Sequence, residues 1–147
     1  MLKKILILLV FVVIGFYSHA QVLTPIKWSY ASKKIDNKQA MLFVKANLDK
    51  GWHIYSQQAT GPIKTRFNFI KDGGYSLVGK ITEPMPISKF EPLLNQTLQY
   101  FEQSVVFQQK IKLKSTKAVV KGTVNFLVCN DKHCLPPDEV NFTIPVK

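Results

Sequence analysis

Residues 40–48 read AMLFVKANL, and the alternation in that stretch decides the fold class. Ala40, Leu42, Val44, Ala46 and Leu48 fall on one face of an extended chain, and Asp49-Lys50-Gly51 then ends the run as a turn. The same period of two recurs near the C-terminus. Val120, Gly122, Val124, Phe126 and Val128 alternate with Lys121, Thr123, Asn125 and Leu127, which predicts one long strand ending at Cys129. Val140, Phe142, Ile144 and Val146 alternate with Glu139, Asn141, Thr143 and Pro145. Weaker strands are predicted at Lys27 to Ala31, Trp52 to Tyr55, Arg66 to Ile70, Tyr75 to Ile81 and Ser104 to Leu113. Turn chemistry separates them: Asp36-Asn37, Gly61-Pro62, Asp72-Gly73-Gly74 and Pro84-Met85-Pro86. About eight short strands, with no helical-period stretch longer than about two turns, predict an all-β antiparallel sandwich, with a small barrel as the alternative. Pro84 to Phe101 is the least strand-like part, and a long irregular segment in a compact domain is expected to be functional or to pack as a lid.

Composition is consistent with one domain. The chain has 147 residues, 46% of them hydrophobic, which is enough to bury a single core without metal or several bridges. Seven Gly and 8 Pro are too few for a fibrous or low-complexity chain, and two Cys are too few for a disulfide-dense scaffold or a four-cysteine zinc site.

Residues 1–20 read as a targeting segment. Lys3 and Lys4 precede the apolar run Ile5 to Tyr17, and Ser18-His19-Ala20 offers small residues where a signal peptidase cleaves. The apolar run is shorter than the roughly 20 residues a membrane-spanning helix needs. No cysteine stands at the junction to carry a lipid. A cleaved signal peptide and a domain over residues 21–147 are therefore expected, with export to the periplasm and no transmembrane segment in the mature chain. The formal net charge is +11, but the lysines are scattered rather than gathered into an arm. Together with export, this argues against nucleic acid as a partner and for a solvated basic surface.

The distinctive chemistry is the cysteine pair. Cys129 closes one predicted strand and Cys134 precedes the next, with Asn130-Asp131-Lys132-His133 between them and Leu135-Pro136-Pro137 after. The two thiols sit across a hairpin end, where a disulfide can form, and an exported chain can oxidise it. Closing so short a loop stabilises by only about 2 kcal/mol, at the low end for disulfides. Exposure at a hairpin would leave a sulfur open to attack by another thiolate, and Lys132 and His133 could favour the thiolate of Cys134. Spacing alone leaves a structural staple and a redox reagent both open. A metal site using Cys129, His133 and Cys134 would need a fourth ligand such as His53 or Met85, and adjacent His133 and Cys134 rarely converge from an extended chain.

Four segments carry a resemblance: Gly51-Trp52-His53-Ile54-Tyr55-Ser56-Gln57, Gly61-Pro62 with Thr65-Arg66-Phe67, Tyr100-Phe101-Glu102-Gln103, and Val128 to Pro137. Together they resemble the N-terminal domain of the thiol:disulfide interchange protein DsbD, over roughly Trp28 to Val146. The resemblance implies an immunoglobulin-like sandwich in the periplasm that exchanges thiols without a cofactor. It implies Cys129 and Cys134 as the redox pair, with Cys134 forming mixed disulfides and Cys129 resolving them. It also implies a cap whose aromatic side chain covers the pair, at the position where Tyr100 with Phe101 fall, and His53 and Tyr55 near the pair; His133 neighbours it by adjoining Cys134 in the sequence. The implied electron donor is a thioredoxin-like domain or membrane thiol reductase, separately encoded because the sequence stops after its last strand. The implied acceptors are a periplasmic disulfide isomerase or a cytochrome c maturation protein.

Departures from the family pattern bear on reactivity. The four-residue spacer between the cysteines looks one shorter than in well-known members, and Leu98 and Gln99 stand where acidic residues are expected. Packing offers a plainer account of the aromatics, since Tyr100 and Phe101 could be core residues and His53 and Tyr55 share one face of a strand. The competing function is a non-catalytic immunoglobulin-like binding module whose disulfide only pins a hairpin.

Overall fold

The computed structural model describes residues 23–91 and 95–147, so the expected leader at residues 1–20 lies outside them. The described residues are all-β. The chain runs β1 (Ile26–Lys34), β2 (Gln39–Leu48), β3 (His53–Tyr55), β4 (Arg66–Phe69), β5 (Tyr75–Thr82) and β6 (Ile87–Glu91). It continues through β7 (Gln96–Glu102), β8 (Ser104–Leu113), β9 (Ala118–Phe126), β10 (Val128–Cys129) and β11 (Asp138–Val146). One short 3-10 turn, Gly61–Ile63, interrupts them. Among the described residues no helix is long and apolar enough to cross a membrane.

Every strand pair is antiparallel, and the strands form three sheets ordered β1-β2-β8-β5, β11-β9-β4 and β10-β3-β7-β6. The alternation read from residues 40–48 is the buried face of β2: Ala40, Leu42 and Ala46 are fully buried and Val44 nearly so. Phe107 and Ile111 of β8 extend that face, while Val120 and Val124 of β9 and Ile144 of β11 close the core from the opposite sheet. Aromatic rings fill the middle, with Phe67 and Phe107 centroids 4.8 Å apart and Trp28 meeting Phe126 edge to face at 5.1 Å. Each such buried apolar side chain contributes about 1.5–3 kcal/mol through loss of water contact. Where the edges of two sheets approach, the Ser32 hydroxyl donates to the Pro145 carbonyl at 2.7 Å.

Gly122 is required by packing. A Cβ there would run into the Asn68 carbonyl on β4 and the Phe142 ring on β11, so only glycine lets β9 sit between them.

Two expectations are corrected. The strand predicted to run unbroken to Cys129 divides at Leu127: β9 pairs in one sheet and β10 in another. The alternation itself continues through the break, with Phe126 and Val128 in the main core and Leu127 on the opposite face against a separate small cluster. The segment from Pro84 to Phe101, expected to be irregular, contains the β6–β7 hairpin, with Ile87 opposite Tyr100 and Glu91 opposite Gln96. Pro84 and Pro86 precede the edge strand β6, where a missing N–H costs no ladder bond. These additions raise the count from about eight strands to eleven among the described residues.

Candidate functional site

The sheet ordered β10-β3-β7-β6 has two faces with different fates. Ile54, Phe101 and Val128 are register partners across three strands and are buried in the main core. The next row is Cys129, His53 and Glu102, which must project to the opposite face because alternation along a strand has period two. That face carries the small cluster of Tyr55, Ala59 and Cys129, with Leu98, Tyr100, Leu127 and Ile63 packed against it.

Short polar contacts fix β3, which supplies His53 and Tyr55. The Thr65 hydroxyl donates to the Tyr55 carbonyl at 2.5 Å. Just beyond the strand, the Glu83 carboxylate accepts from the Ser56 hydroxyl at 2.5 Å and from the Gln57 backbone N–H at 3.0 Å. The buried hydroxyls of Ser56 and Thr65 are thereby satisfied.

Cys129 and Cys134 are bonded through their sulfurs and face one another as an isolated antiparallel bridge. The four residues between them form a tight turn. The Asn130 backbone N–H donates to the His133 carbonyl at 2.9 Å, and the Asn130 side-chain oxygen accepts from the backbone N–H groups of Lys132 and His133, both at 2.9 Å. This is the local competition by which asparagine stabilises turns. After the turn, the Leu135 N–H returns to the Val128 carbonyl at 2.9 Å. The two sulfurs have unequal environments: Cys129 is 2% exposed and sits in the small cluster, whereas Cys134 is exposed on the outer arm of the turn.

A cavity of about 580 Å³ opens over the disulfide. Both cysteines line it, together with His53, Tyr55, Lys89, Leu98, Tyr100, Glu102 and the turn residues Asn130 to His133. The His53 ring lies 5.4 Å from Tyr55, edge to face, and 4.8 Å from Tyr100. Burial lowers the pKa of His53 below the ordinary histidine value, Glu102 and Asp131 oppose that shift, and Lys89 adds to it. Burial and the neighbouring Tyr100 raise the pKa of Tyr55. Among the described residues, no group of three His, Cys, Asp or Glu side chains is arranged to hold a metal ion.

The structure therefore gathers Cys129, Cys134, His53, Tyr55, Tyr100 and His133 around one cavity. Phe101 is a correction. It is 5% exposed on the far face of β7, edge to face with Phe107 at 6.2 Å, and does not line the cavity over the disulfide. Tyr100 and Phe101 are successive residues of one strand, so only one of them can reach that side. Glu102, Lys89, Asp131 and Asn130 were missed as site residues. For Glu102 the available signal was its spacing of two from Tyr100. For Asn130 it was the turn chemistry of an asparagine directly after Cys129.

Comparisons with known proteins bear on the family and the fold. The sequence model described as "Thiol:disulfide interchange protein DsbD, N-terminal" matches residues 19–145. A search of curated proteins found no match. Among solved structures, the N-terminal periplasmic domain of ScsB from Proteus mirabilis is similar at 15% identity and a TM-score of 0.58, covering 85% of this chain and 49% of that one. This chain thus spans about half the length of that structure. The reduced N-terminal domain of DsbD from Neisseria meningitidis is similar at 12% identity and a TM-score of 0.53, covering 78% of this chain and 82% of that one. The DsbD N-terminal domain in complex with the PilB N-terminal domain, also from Neisseria meningitidis, gives 11% identity and a TM-score of 0.55, covering 84% and 87%. At these identities the structural likeness establishes the fold, an immunoglobulin-like antiparallel sandwich. The match over residues 19–145 establishes more: the chain belongs to the family of DsbD N-terminal domains.

Proposed function

We propose that this domain is a periplasmic thiol–disulfide relay, in which Cys129 and Cys134 accept two electrons from a thioredoxin-like or membrane reductase partner and pass them to an oxidised client protein. One observation carries the reading: the pair is asymmetric, with exposed Cys134 at the mouth of an open cavity and Cys129 buried behind it. Exchange requires one sulfur that a partner thiolate can reach and one that can leave and return. A staple has no need of that inequality.

In the reductive half, a donor thiolate attacks the Cys134 sulfur. The donor–Cys134 bond forms, the Cys129–Cys134 bond breaks, and Cys129 leaves as a thiolate that takes up a proton. A second donor thiolate then releases Cys134, leaving the donor oxidised and the pair reduced. In the oxidative half, the Cys134 thiolate attacks a client disulfide. Cys129 then attacks Cys134, re-forming the internal bond and releasing the client as a dithiol. The sulfurs carry the electrons, so this chemistry requires no cofactor. That a related domain from Neisseria meningitidis was solved in complex with another protein's domain supports a protein partner. A disulfide isomerase or a cytochrome c maturation protein would be a suitable client, and residues 1–20 would serve as the export signal.

Trapping tests the roles. With Cys129→Ser, Cys134 should accumulate in a covalent complex with a thioredoxin-fold protein, because the resolving sulfur is gone. Cys134→Ser should trap nothing. An absence of complex from Cys129→Ser in an extract that contains such proteins would favour the binding module instead.

A further inference from the structure

His53 occupies a position that the relay chemistry leaves unexplained. It is the register partner of Cys129 on one side and of Glu102 on the other. Directly opposed residues in an antiparallel sheet project from the same face, with Cβ atoms about 4.5–5.5 Å apart. The Cys129 side chain, an imidazole and a carboxylate therefore stand in one row across β10, β3 and β7, and all three residues line the cavity.

We propose that His53 is the acid–base residue of the exchange reaction, taking the proton of Cys129 when that thiol attacks and returning it when Cys129 leaves, with Glu102 as the positioning carboxylate. The inference rests on the relay reading and deepens it.

The need arises from the asymmetry of the pair. Cys134 is exposed and can exchange its proton with water, but a thiolate on Cys129 would form at a site only 2% exposed. Developing charge there requires a partner group close at hand. The surroundings of His53 suit a base that starts neutral. Burial disfavours its charged form, so the ring nitrogen is available near neutral pH, while Glu102 and Asp131 stabilise the imidazolium once it forms. Lys89, from β6, opposes the charged form. The rings of Tyr55 and Tyr100, themselves register partners, both pack against the imidazole, and Lys132 and His133 reach the same cavity from the turn.

In a mixed disulfide between Cys134 and a client, the His53 imidazole removes the proton from the Cys129 sulfur. The thiolate attacks Cys134, the Cys129–Cys134 bond forms, and the Cys134–client bond breaks. The client sulfur leaves with the electron pair and takes its proton from solvent or from the imidazolium. In the reverse direction, the imidazolium protonates Cys129 as it departs.

The test uses the reduced protein and 5,5′-dithiobis(2-nitrobenzoate) in a stopped-flow instrument. Attack by Cys134 releases a first thionitrobenzoate, and closure by Cys129 releases a second. The first release, from exposed Cys134, is the internal reference in each protein, and near-UV circular dichroism of His53→Gln and His53→Phe checks that the fold around the pair is intact. Each variant should slow the second release about 100-fold or more near neutral pH and move its pH profile upward toward that of an unassisted thiol. A second release with the wild-type rate and pH profile in a folded His53 variant would overturn the assignment. If the wild-type protein gave no second release, the relay reading itself would fall, a result distinct from a silent His53.

Discussion

The imidazole of His133 meets the indole of Trp52 edge to face, with ring centroids 5.5 Å apart and planes at 87°. Trp52 belongs to the main core and is 9% exposed, whereas His133 is an exposed residue of the cysteine turn. The turn that carries Cys134 is thus tied to the core by a side-chain contact as well as by the disulfide. Trp52→Ala should cost about 3–5 kcal/mol, as large-to-small changes at buried aromatics do, and Trp52→Phe clearly less. His133→Ala should cost no more than about 1.5 kcal/mol, the upper range for one aromatic contact. Denaturant unfolding of the three variants checks this order.

Gly122→Ala tests the packing between β4 and β11. The added methyl would meet the Asn68 carbonyl and the Phe142 ring, and backbone cannot move aside as a flexible side chain can. The expected loss is about 1–3 kcal/mol, typical of overpacking. At Gly73 an added Cβ meets nothing within 4 Å and the backbone is not left-handed, so Gly73→Ala should be close to neutral in the same unfolding measurement.

Much of this architecture is readable in the residue pattern, but the reason differs from strand to strand. Residues 40–48 are legible because one face of β2 is wholly inside and the alternation is therefore pure. The β6–β7 hairpin is not, because its side chains are mostly half-buried or exposed and its alternation is written in Gln96, Leu98, Tyr100 and Glu102. The break at Leu127 is invisible locally, since the alternation of Phe126, Leu127 and Val128 runs through it unchanged. The cysteine pair is conspicuous in the sequence, yet its asymmetry depends on which arm of the turn faces the small cluster, and spacing does not encode that. Tyr100 and Phe101 show the same limit. Two adjacent aromatics are equally plausible lids until the strand register assigns each to a face.

The pH dependence of stability should carry a His53 signature. Burial lowers its folded-state pKa, so between that value and the unfolded value of about 6.5 the unfolded chain binds more protons. Its contribution is therefore fully present above the unfolded pKa and is lost as pH falls through the window toward the folded pKa. His53→Gln should lose less stability than the wild-type protein on acidification from pH 7 to roughly pH 5, since the carboxylates titrate in both. Denaturant midpoints at matched pH values give the comparison, and parallel curves would show that His53 titrates alike in both states.

The claim that the Cys129–Cys134 bond is made and broken in use is tested most directly by its reduction potential. The oxidised protein would be equilibrated with a graded thiol–disulfide buffer and the thiols quantified by alkylation. A relay predicts a potential less negative than about −300 mV, within reach of physiological thioredoxin-like donors. A value well below about −300 mV, where inert structural disulfides lie, would contradict the account.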